Sequence, residues 1–219
     1  MLEIDGINIV WNGHDGYRLK TDNKTIYIDP FKLIQEYNNK KDADLIFITH
    51  NHFDHLSLKD IDNVINNNTK IICSLECVET LNKNYNKNEI IPLKPKDNTE
   101  IKNIKIDAVR AYNTNKDFHP KEDNKIGFII SINGLKIYHT GDTDIIPEMD
   151  SINPDIAFVP VSGTYVMTAE EAAKATNELI KPKKIAIPMH YNSIIGSVKD
   201  AETFCSMVNV CKTEILKVE

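Results

Sequence analysis

Three histidines and one aspartate lie within the six residues 50–55, which read His-Asn-His-Phe-Asp-His. His50 and His52 are two residues apart, so they point the same way in an extended segment. Asp54 and His55 are adjacent, so they point differently and can serve a second position. Neutral imidazole and carboxylate together suit Zn²⁺, Fe²⁺ or Mn²⁺. Because four ligand-type residues rarely cluster so tightly by chance, the segment predicts a metal site.

Two later segments also present ligand-type residues at predicted strand ends. Residues 138–144 (Tyr-His-Thr-Gly-Asp-Thr-Asp) feed a strand into a turn at Gly141 that presents Asp142. Residues 187–191 (Ile-Pro-Met-His-Tyr) place His190 at the end of another apolar run. Each signal alone is typical of a plain turn or a packed core histidine. Together with 50–55 they predict three strand ends that deliver ligands to one site.

The elements that must position these residues follow from apolar patterning and turn residues. Alternating or continuous apolar runs predict strands over 7–11, 17–20, 25–29, 45–49, 70–73, 99–109, 126–132, 135–138, 156–161, 184–189 and 214–218. Asn133-Gly134 predicts a tight hairpin. Caps at Ser57 and Thr168 begin predicted helices 57–65 and 169–180, and two more are predicted over 75–81 and 198–208. We find no sequence repeat, and one domain with two sheets and outer helices accounts for the pattern.

Composition limits the class of protein. The 219 residues are 41% hydrophobic and 26% charged, as expected for one α/β domain over residues 1–219. No apolar run approaches the ~20 residues of a membrane span, and the N-terminus lacks the features of a secretory signal. A net charge of -6 with only two arginines, Arg18 and Arg110, disfavours nucleic-acid binding. Four cysteines without Cys-x-x-Cys spacing predict reduced thiols in or near the core and a cytoplasmic location.

These motifs resemble the metallo-β-lactamase-fold hydrolase superfamily. The likeness rests on His-x-His-x-Asp-His at 50–55, Gly-Asp-Thr at 141–143 and the late His190, and it spans nearly the whole chain. The chain is most similar to small bacterial and archaeal metal-dependent hydrolases of unassigned substrate, relatives of the ascorbate-lactonase-like group. Gly13-His14, residues 160–167 and residues 188–191 carry that finer likeness. The resemblance implies an α/β fold, an αββα sandwich of two mixed β-sheets with outer helices and a metal site at one edge.

The resemblance also implies two divalent metal ions, zinc before manganese or iron. It assigns His50, His52 and a further histidine to the first ion. That histidine normally lies between the first motif and Gly-Asp-Thr, and His119 is the one in this interval before the Asn133-Gly134 hairpin. Because His119 lies on a polar loop, a surface histidine is the alternative. His139 is the competing residue, and we interpret it as a core residue or as one that supports a ligand.

The second ion is implied to take Asp54, His55 and His190, with Asp142 bridging the two ions. Asp54 is also the predicted catalytic residue, since it can steer the proton of the attacking water while it ligates. Five further residues are predicted to orient a ligand or contact substrate: His14, Asp29, His139, Tyr165 and Tyr191. For His14 and both tyrosines packing is equally compatible with the sequence, and Asp29 can equally be a turn-closing aspartate.

The predicted function is a metal-dependent hydrolase that cleaves a small ester, lactone or phosphodiester with a metal-bridged hydroxide. No Gly-x-Ser-x-Gly elbow offers a nucleophilic serine. Two alternatives stay open: a catalytically silent metal-binding module of the same fold, and a phosphodiesterase acting on nucleotides or phospholipid head groups. The expected partner is a small-molecule substrate, with neither nucleic acid nor membrane. The sequence leaves the oligomeric state open, a homo-oligomer included.

Overall fold

The computed structural model describes residues 1–219, apart from the side chain of Ser151. Its contacts divide the chain into two compact units, Met1–Leu93 with Leu216–Glu219, and Lys94–Ile215. In the described chain each unit is built on a mixed sheet of seven strands. The prediction of an α/β fold with two mixed sheets and flanking helices is confirmed. A single domain over 1–219 stays a prediction.

The sheet of the first unit follows the order of the chain. Its strands are β1 (Leu2–Ile4), β2 (Ile7–Gly13), β3 (Gly16–Lys20), β4 (Thr25–Ile28), β5 (Leu45–Ile48), β6 (Lys70–Ser74) and β7 (Glu89–Leu93). The first four strands pair antiparallel, and β4 to β7 pair parallel. Every residue of β5 is buried, because a parallel strand between two neighbours is covered on both faces.

Two helices belong to this unit, α1 (Leu58–Val64) and α2 (Val78–Asn84), with 3₁₀ turns at Gln35–Tyr37 and Leu75–Cys77. Their apolar residues Ile61 and Leu81 join one buried cluster with Ile46 of β5 and Ile71 of β6. This packing fixes the strand ends from which the first ligand segment departs.

The sheet of the second unit has the same strand order and pairing pattern. Its strands are β8 (Asn98–Ile101), β9 (Ile104–Arg110), β10 (Ile126–Ile132), β11 (Leu135–His139), β12 (Ile156–Pro160), β13 (Ile185–Met189) and β14 (Lys212–Thr213). Again the first four pair antiparallel and the last four parallel. The two units thus repeat one topology that the sequence does not reveal as a repeat.

The helices of the second unit are α3 (Ala169–Ala175), which continues into a π-helical turn at Thr176–Ile180, and α4 (Val198–Met207). Shorter 3₁₀ turns lie at Lys121–Asp123 and Pro147–Ser151. Thr168 caps α3 with a complete capping box to Glu171, as the sequence predicts. None of the helices in the described chain is both long enough and apolar enough to cross a bilayer.

Three predicted elements differ from the structure. The predicted strand 214–218 is wrong: the last strand is β14, and the later apolar pattern reflects burial of Leu216 and a single bridge from Val218 to Trp11. The predicted strand 99–109 is a hairpin, because Lys102 and Asn103 adopt positive φ and turn the chain between β8 and β9. The predicted helix 75–81 starts as a 3₁₀ turn and becomes α-helical only from Val78.

Candidate metal centre

In the first unit, the end of β5 delivers the His-x-His-x-Asp-His segment. His50 and His55 are buried, with ring centroids 3.9 Å apart, and the ring of His52 lies 4.5 Å from that of His50. His50 and His52 offer ring nitrogens within 4.8 Å of each other. His55 and Asp54 likewise offer ligand atoms within 4.8 Å. The four predicted ligands of this unit therefore form two adjacent pairs.

Asp29 and Thr49 hold two of these imidazoles. Asp29 follows β4 at a φ of 41° and is fully buried. Its carboxylate accepts the Thr49 N–H (2.9 Å) and the Thr49 hydroxyl (2.6 Å), and it lies 2.7 Å from Nδ1 of His55. Because the Thr49 hydroxyl donates to Asp29, its oxygen can accept from Nδ1 of His50, 3.0 Å away. Both rings are thus set to turn Nε2 to a metal ion.

His14 lies behind Asp54. Its Nε2 is 2.9 Å from Oδ2 of Asp54, and its ring is buried beside that of Phe31, with centroids 5.8 Å apart. The backbone of His14 has a φ of 51°, and the Trp11 indole N–H donates to the His14 carbonyl (2.9 Å). A strained backbone conformation held by a buried hydrogen bond is a common feature of functional sites. The structure therefore brings His14 to a predicted ligand.

Asp15 is a residue that the sequence analysis missed. It is fully buried, and a carboxylate oxygen lies within 4.8 Å of a ring nitrogen of His55. A buried carboxylate beside a predicted ligand is itself a candidate ligand or support. Its position directly after Gly13-His14 was the available signal.

In the second unit, Asp142 lies between two predicted histidines. Its Oδ2 is 3.2 Å from Nε2 of His119 and 3.3 Å from Nε2 of His190. All three side chains are almost fully buried. One carboxylate oxygen at hydrogen-bonding distance from two ε-nitrogens is the geometry expected of ligands that converge.

The turn after β11 positions Asp142 through Gly141. Gly141 has a φ of 62°, and a Cβ on it would lie 2.8 Å from the Ile126 carbonyl oxygen, so only glycine fits there. Nδ1 of His139 accepts the Gly141 N–H at 3.2 Å. His139 is therefore buried and contacts this turn, and its role as a core or supporting residue stays a prediction.

His119 is fixed by Asn113, which the sequence analysis also missed. The Asn113 side-chain oxygen accepts the backbone N–H of His119 (3.0 Å) and lies 3.0 Å from its Nδ1. The Asn113 amide donates to the Tyr165 carbonyl (3.0 Å). The alternative of a surface histidine is wrong, because His119 is only 1% exposed. Nothing in the spacing of Asn113 signals this contact, which the loop closes across six residues.

His190 and the two predicted tyrosines differ in their surroundings. His190 has a φ of 58°, and its Nδ1 lies 2.8 Å from the hydroxyl of Ser162, two residues after β12. Tyr165 is half-buried, with its ring 6.5 Å from that of His190. Tyr191 is buried, and desolvation raises the pKa of its phenol. Of the two tyrosines, Tyr165 is thus the one that is accessible to solvent.

The donor set fits a divalent metal ion. Four of the predicted histidines, His50, His55, His119 and His190, keep Nδ1 near an oxygen of Asp29, Thr49, Asn113 or Ser162, which leaves Nε2 for coordination. Imidazole nitrogen combined with carboxylate oxygen suits zinc, manganese or iron, and no thiolate is part of the set. Which residues bind which ion stays a prediction.

Comparison with known proteins places the chain in a family. The family model of the beta-lactamase superfamily domain matches residues 8–190. A metal-dependent hydrolase of Archaeoglobus fulgidus is 35% identical over 213 residues, covering 90% of this chain and 89% of the relative. One of Thermococcus onnurineus is 32% identical over 211 residues, 92% of both chains. The chain thus belongs to the family that this model describes, the beta-lactamase superfamily domain.

A crystal structure supports the same family. A protein from Parabacteroides distasonis, named for metal-dependent hydrolase activity, superposes with a TM-score of 0.81 at 33% identity, covering 97% of this chain and 94% of that one. The fold class predicted from the motifs is confirmed. Within the superfamily, the chain groups with the metal-dependent hydrolases.

Proposed function

We propose that the protein hydrolyses a small ester, lactone or phosphodiester with a water molecule activated at a dinuclear metal centre. The observation that carries the proposal is Oδ2 of Asp142 within 3.3 Å of Nε2 of both His119 and His190. A divalent cation at this point would offset the cost of burying the Asp142 carboxylate, since a buried charge is stabilised by a nearby charge of opposite sign. The names of the relatives support hydrolysis as the reaction class.

Seven residues would hold two divalent ions, with zinc favoured: His50, His52, Asp54, His55, His119, Asp142 and His190. Bound ions of this kind supply Lewis acidity, which polarises a carbonyl or phosphoryl oxygen and lowers the pKa of water from 15.7 to ~7. Asp15 is a further candidate for the same set. The ligand assignment follows the superfamily resemblance and the contacts within each unit.

The side chains of the protein divide the remaining work. Asp54 takes up the proton that the attacking water loses, and His14, 2.9 Å from it, orients its carboxylate. Asp29 holds the imidazole of His55 directly and that of His50 through Thr49, each in the tautomer that ligation needs. Tyr165 stands beside His190 where it can contact the substrate.

The test combines metal analysis with a substrate panel. Elemental analysis of the purified protein is expected to give two divalent ions per chain. Lactone, ester and phosphodiester hydrolysis, each with and without chelator, is expected to show at least one chelator-sensitive activity. His50→Ala and Asp142→Ala should each lower metal content and abolish that activity. If both variants keep the metal content and every activity of the wild type, the proposal is wrong.

The same panel decides the alternatives. A silent metal-binding module would hold metal without chelator-sensitive hydrolysis of any substrate. If elemental analysis gives a single ion per chain, His119 is the first residue to be dropped from the proposed ligands, because the motif spacing defines it least. The substrate is a small molecule in this proposal, and the cytoplasm stays the predicted location.

A further inference from the structure

We propose that the substrate is a neutral ester or lactone whose apolar group packs on an aromatic wall formed by Phe118 and Tyr165. This inference rests on the proposed function and narrows its substrate class. It gives the wall a specificity-determining role for the same reaction.

The two residues of the wall lie beside two predicted ligands. Phe118 precedes His119 in the chain, yet Phe118 is 48% exposed while His119 is buried. The ring of Phe118 stands edge-on to that of Tyr165, with centroids 4.6 Å apart. Tyr165 in turn lies 6.5 Å from the ring of His190. An exposed ring held by a second ring beside the ligands offers apolar area to whatever binds there.

Asn113 ties the wall to the ligands. The same side chain that holds His119 donates to the Tyr165 carbonyl (3.0 Å). The Asn113 side chain therefore binds the backbone at both members of the wall: at His119, which directly follows Phe118, and at Tyr165 itself. A wall that cannot move away from the ligands can discriminate among substrates by shape.

The segment after His190 adds apolar surface. A Cβ at Gly196 would lie 2.6 Å from Cβ of Ser162, so the chain passes tightly over the residue that contacts His190. Ile194, two residues before this close approach, is 39% exposed. The exposed side chains close in sequence to the predicted ligands His119 and His190 thus include large apolar groups.

The charges in the segment that carries His119 disfavour an anionic substrate. Its lysines each face a carboxylate: Lys116 pairs with Asp144, Lys121 lies 3.7 Å from Glu148, and Lys125 lies 3.0 Å from Asp123. A phosphodiester keeps a negative charge, which arginine or lysine commonly contacts in addition to any bound metal ions. Since each of these lysines already has a carboxylate partner, an ester or lactone without charge suits the wall better than a phosphodiester.

The experiment measures kcat/KM of the zinc-loaded full chain for p-nitrophenyl acetate, p-nitrophenyl hexanoate and bis(p-nitrophenyl) phosphate. The wild type is expected to prefer hexanoate over acetate at least tenfold, since added methylenes gain binding in an apolar site, and to be slowest on the phosphodiester. Phe118→Ala should lower kcat/KM about tenfold for hexanoate and only about twofold for acetate. Phe118→Leu keeps apolar bulk and should retain most of the preference.

A control and a binding readout separate the wall from general damage. Val210→Ala changes a valine that is 45% exposed in the same unit after α4, and it should leave all three rates unchanged. Saturation-transfer NMR with unreactive hexanamide should show contact with the metal-free wild type and a clear loss of contact in Phe118→Ala. Metal content, measured in each variant, should not change.

The outcomes distinguish the two proposals. Faster hydrolysis of the phosphodiester than of either ester, or an equal loss on acetate and hexanoate in Phe118→Ala, overturns the substrate class while hydrolysis stands. If metal-loaded wild type hydrolyses neither these three substrates nor a lactone in a chelator-sensitive way, the proposed function fails first and the inference with it.

Discussion

At the scale of single residues, substitution of Asp29 is predicted to lower metal affinity. Asp29→Asn keeps the shape but removes the charge that holds the Thr49 hydroxyl and Nδ1 of His55. We expect metal affinity to fall about 10- to 100-fold, as is typical when the partner of a ligating histidine is lost. Chelator competition on the purified protein measures it. Asp44→Asn is the matched control, since Asp44 accepts the Thr25 N–H on the same sheet. Equal affinity in wild type and Asp29→Asn would contradict the role.

Asn113 carries a second prediction at this scale. Asn113→Ala removes the acceptor for the backbone and ring of His119 and the donor to Tyr165. We expect a loss of about 1–3 kcal/mol in the free energy of unfolding, because buried polar groups lose their partners. Metal affinity should fall as well. Asn113→Asp restores the acceptor, so it should recover metal affinity better than stability. Urea denaturation and chelator competition give the two numbers, and full metal affinity in Asn113→Ala would contradict the positioning role.

At the scale of elements, Gly127 on β10 lets the ligand turn approach. A Cβ at Gly127 would lie 2.5 Å from the Thr140 carbonyl oxygen and 2.6 Å from that of His139, both backbone atoms. Gly127→Ala must therefore push the turn that carries Asp142 away from β10. We expect a loss of roughly 1–3 kcal/mol, the usual cost of overpacking, together with weaker metal binding. Thermal denaturation and metal titration measure both effects.

The control for Gly127→Ala is Gly134→Asn in the hairpin between β10 and β11. Gly134 has a φ of 77° and nothing within 4 Å of its Cβ position, and asparagine tolerates positive φ better than most residues. Its effect on metal binding should be negligible. If Gly127→Ala behaves like this control, β10 does not constrain the ligand turn.

The sequence predicts best those elements whose pattern is local. The hairpin at Asn133-Gly134, the capping box of α3 and the buried β5 each follow from a few adjacent residues, and each is found. The short edge strands β1 and β7 were missed. β7 contains Pro92, which argues against a strand unless that strand lies at a sheet edge. Edge position depends on the complete sheet, so local patterning cannot supply it.

The same limit applies to the candidate site. Residues 50–55 stand out because the ligand types are adjacent in the chain. Asn113 and Ser162 do not, because each is an ordinary polar residue until folding brings it to His119 or His190. Asp15 is hidden for another reason: its position after Gly13-His14 is a weak signal, and its complete burial, which the fold creates, is what marks it out from a surface aspartate.

At the scale of the whole molecule, metal removal should lower stability. A ligand that binds only the folded state stabilises it by RT ln(1 + [L]/Kd), about 2.7 kcal/mol at 100 times Kd. We expect chelation to lower the melting temperature of the wild type, as measured by differential scanning calorimetry. Asp142→Ala should melt lower from the start and respond less to chelator. An equal response of both proteins would mean that Asp142 does not bind the stabilising metal.

The buried thiols predict how stability depends on alkaline pH. Desolvation raises the pKa of Cys73 from 9.0 to about 12, so the folded state keeps this thiol protonated while the unfolded chain ionises above 9. Below pH 9 the thiol is protonated in both states, and the protein keeps its full free energy of unfolding. As pH rises from 9 towards 12 only the unfolded chain ionises, so the free energy of unfolding falls. By pH 10 the loss amounts to about 1.4 kcal/mol, because this pH is one unit above the pKa of the thiol in the unfolded chain and one pH unit corresponds to about 1.4 kcal/mol.

Cys73→Ala isolates this contribution. The variant is less stable at pH 8 because of the smaller side chain, yet its free energy of unfolding should drop between pH 8 and pH 10 by about 1.4 kcal/mol less than that of the wild type. Guanidinium denaturation at both pH values measures the difference, and the titrating groups that do not interact with Cys73 cancel because both proteins share them. The same drop in both would mean that Cys73 ionises in the folded protein, against its complete burial in the first unit.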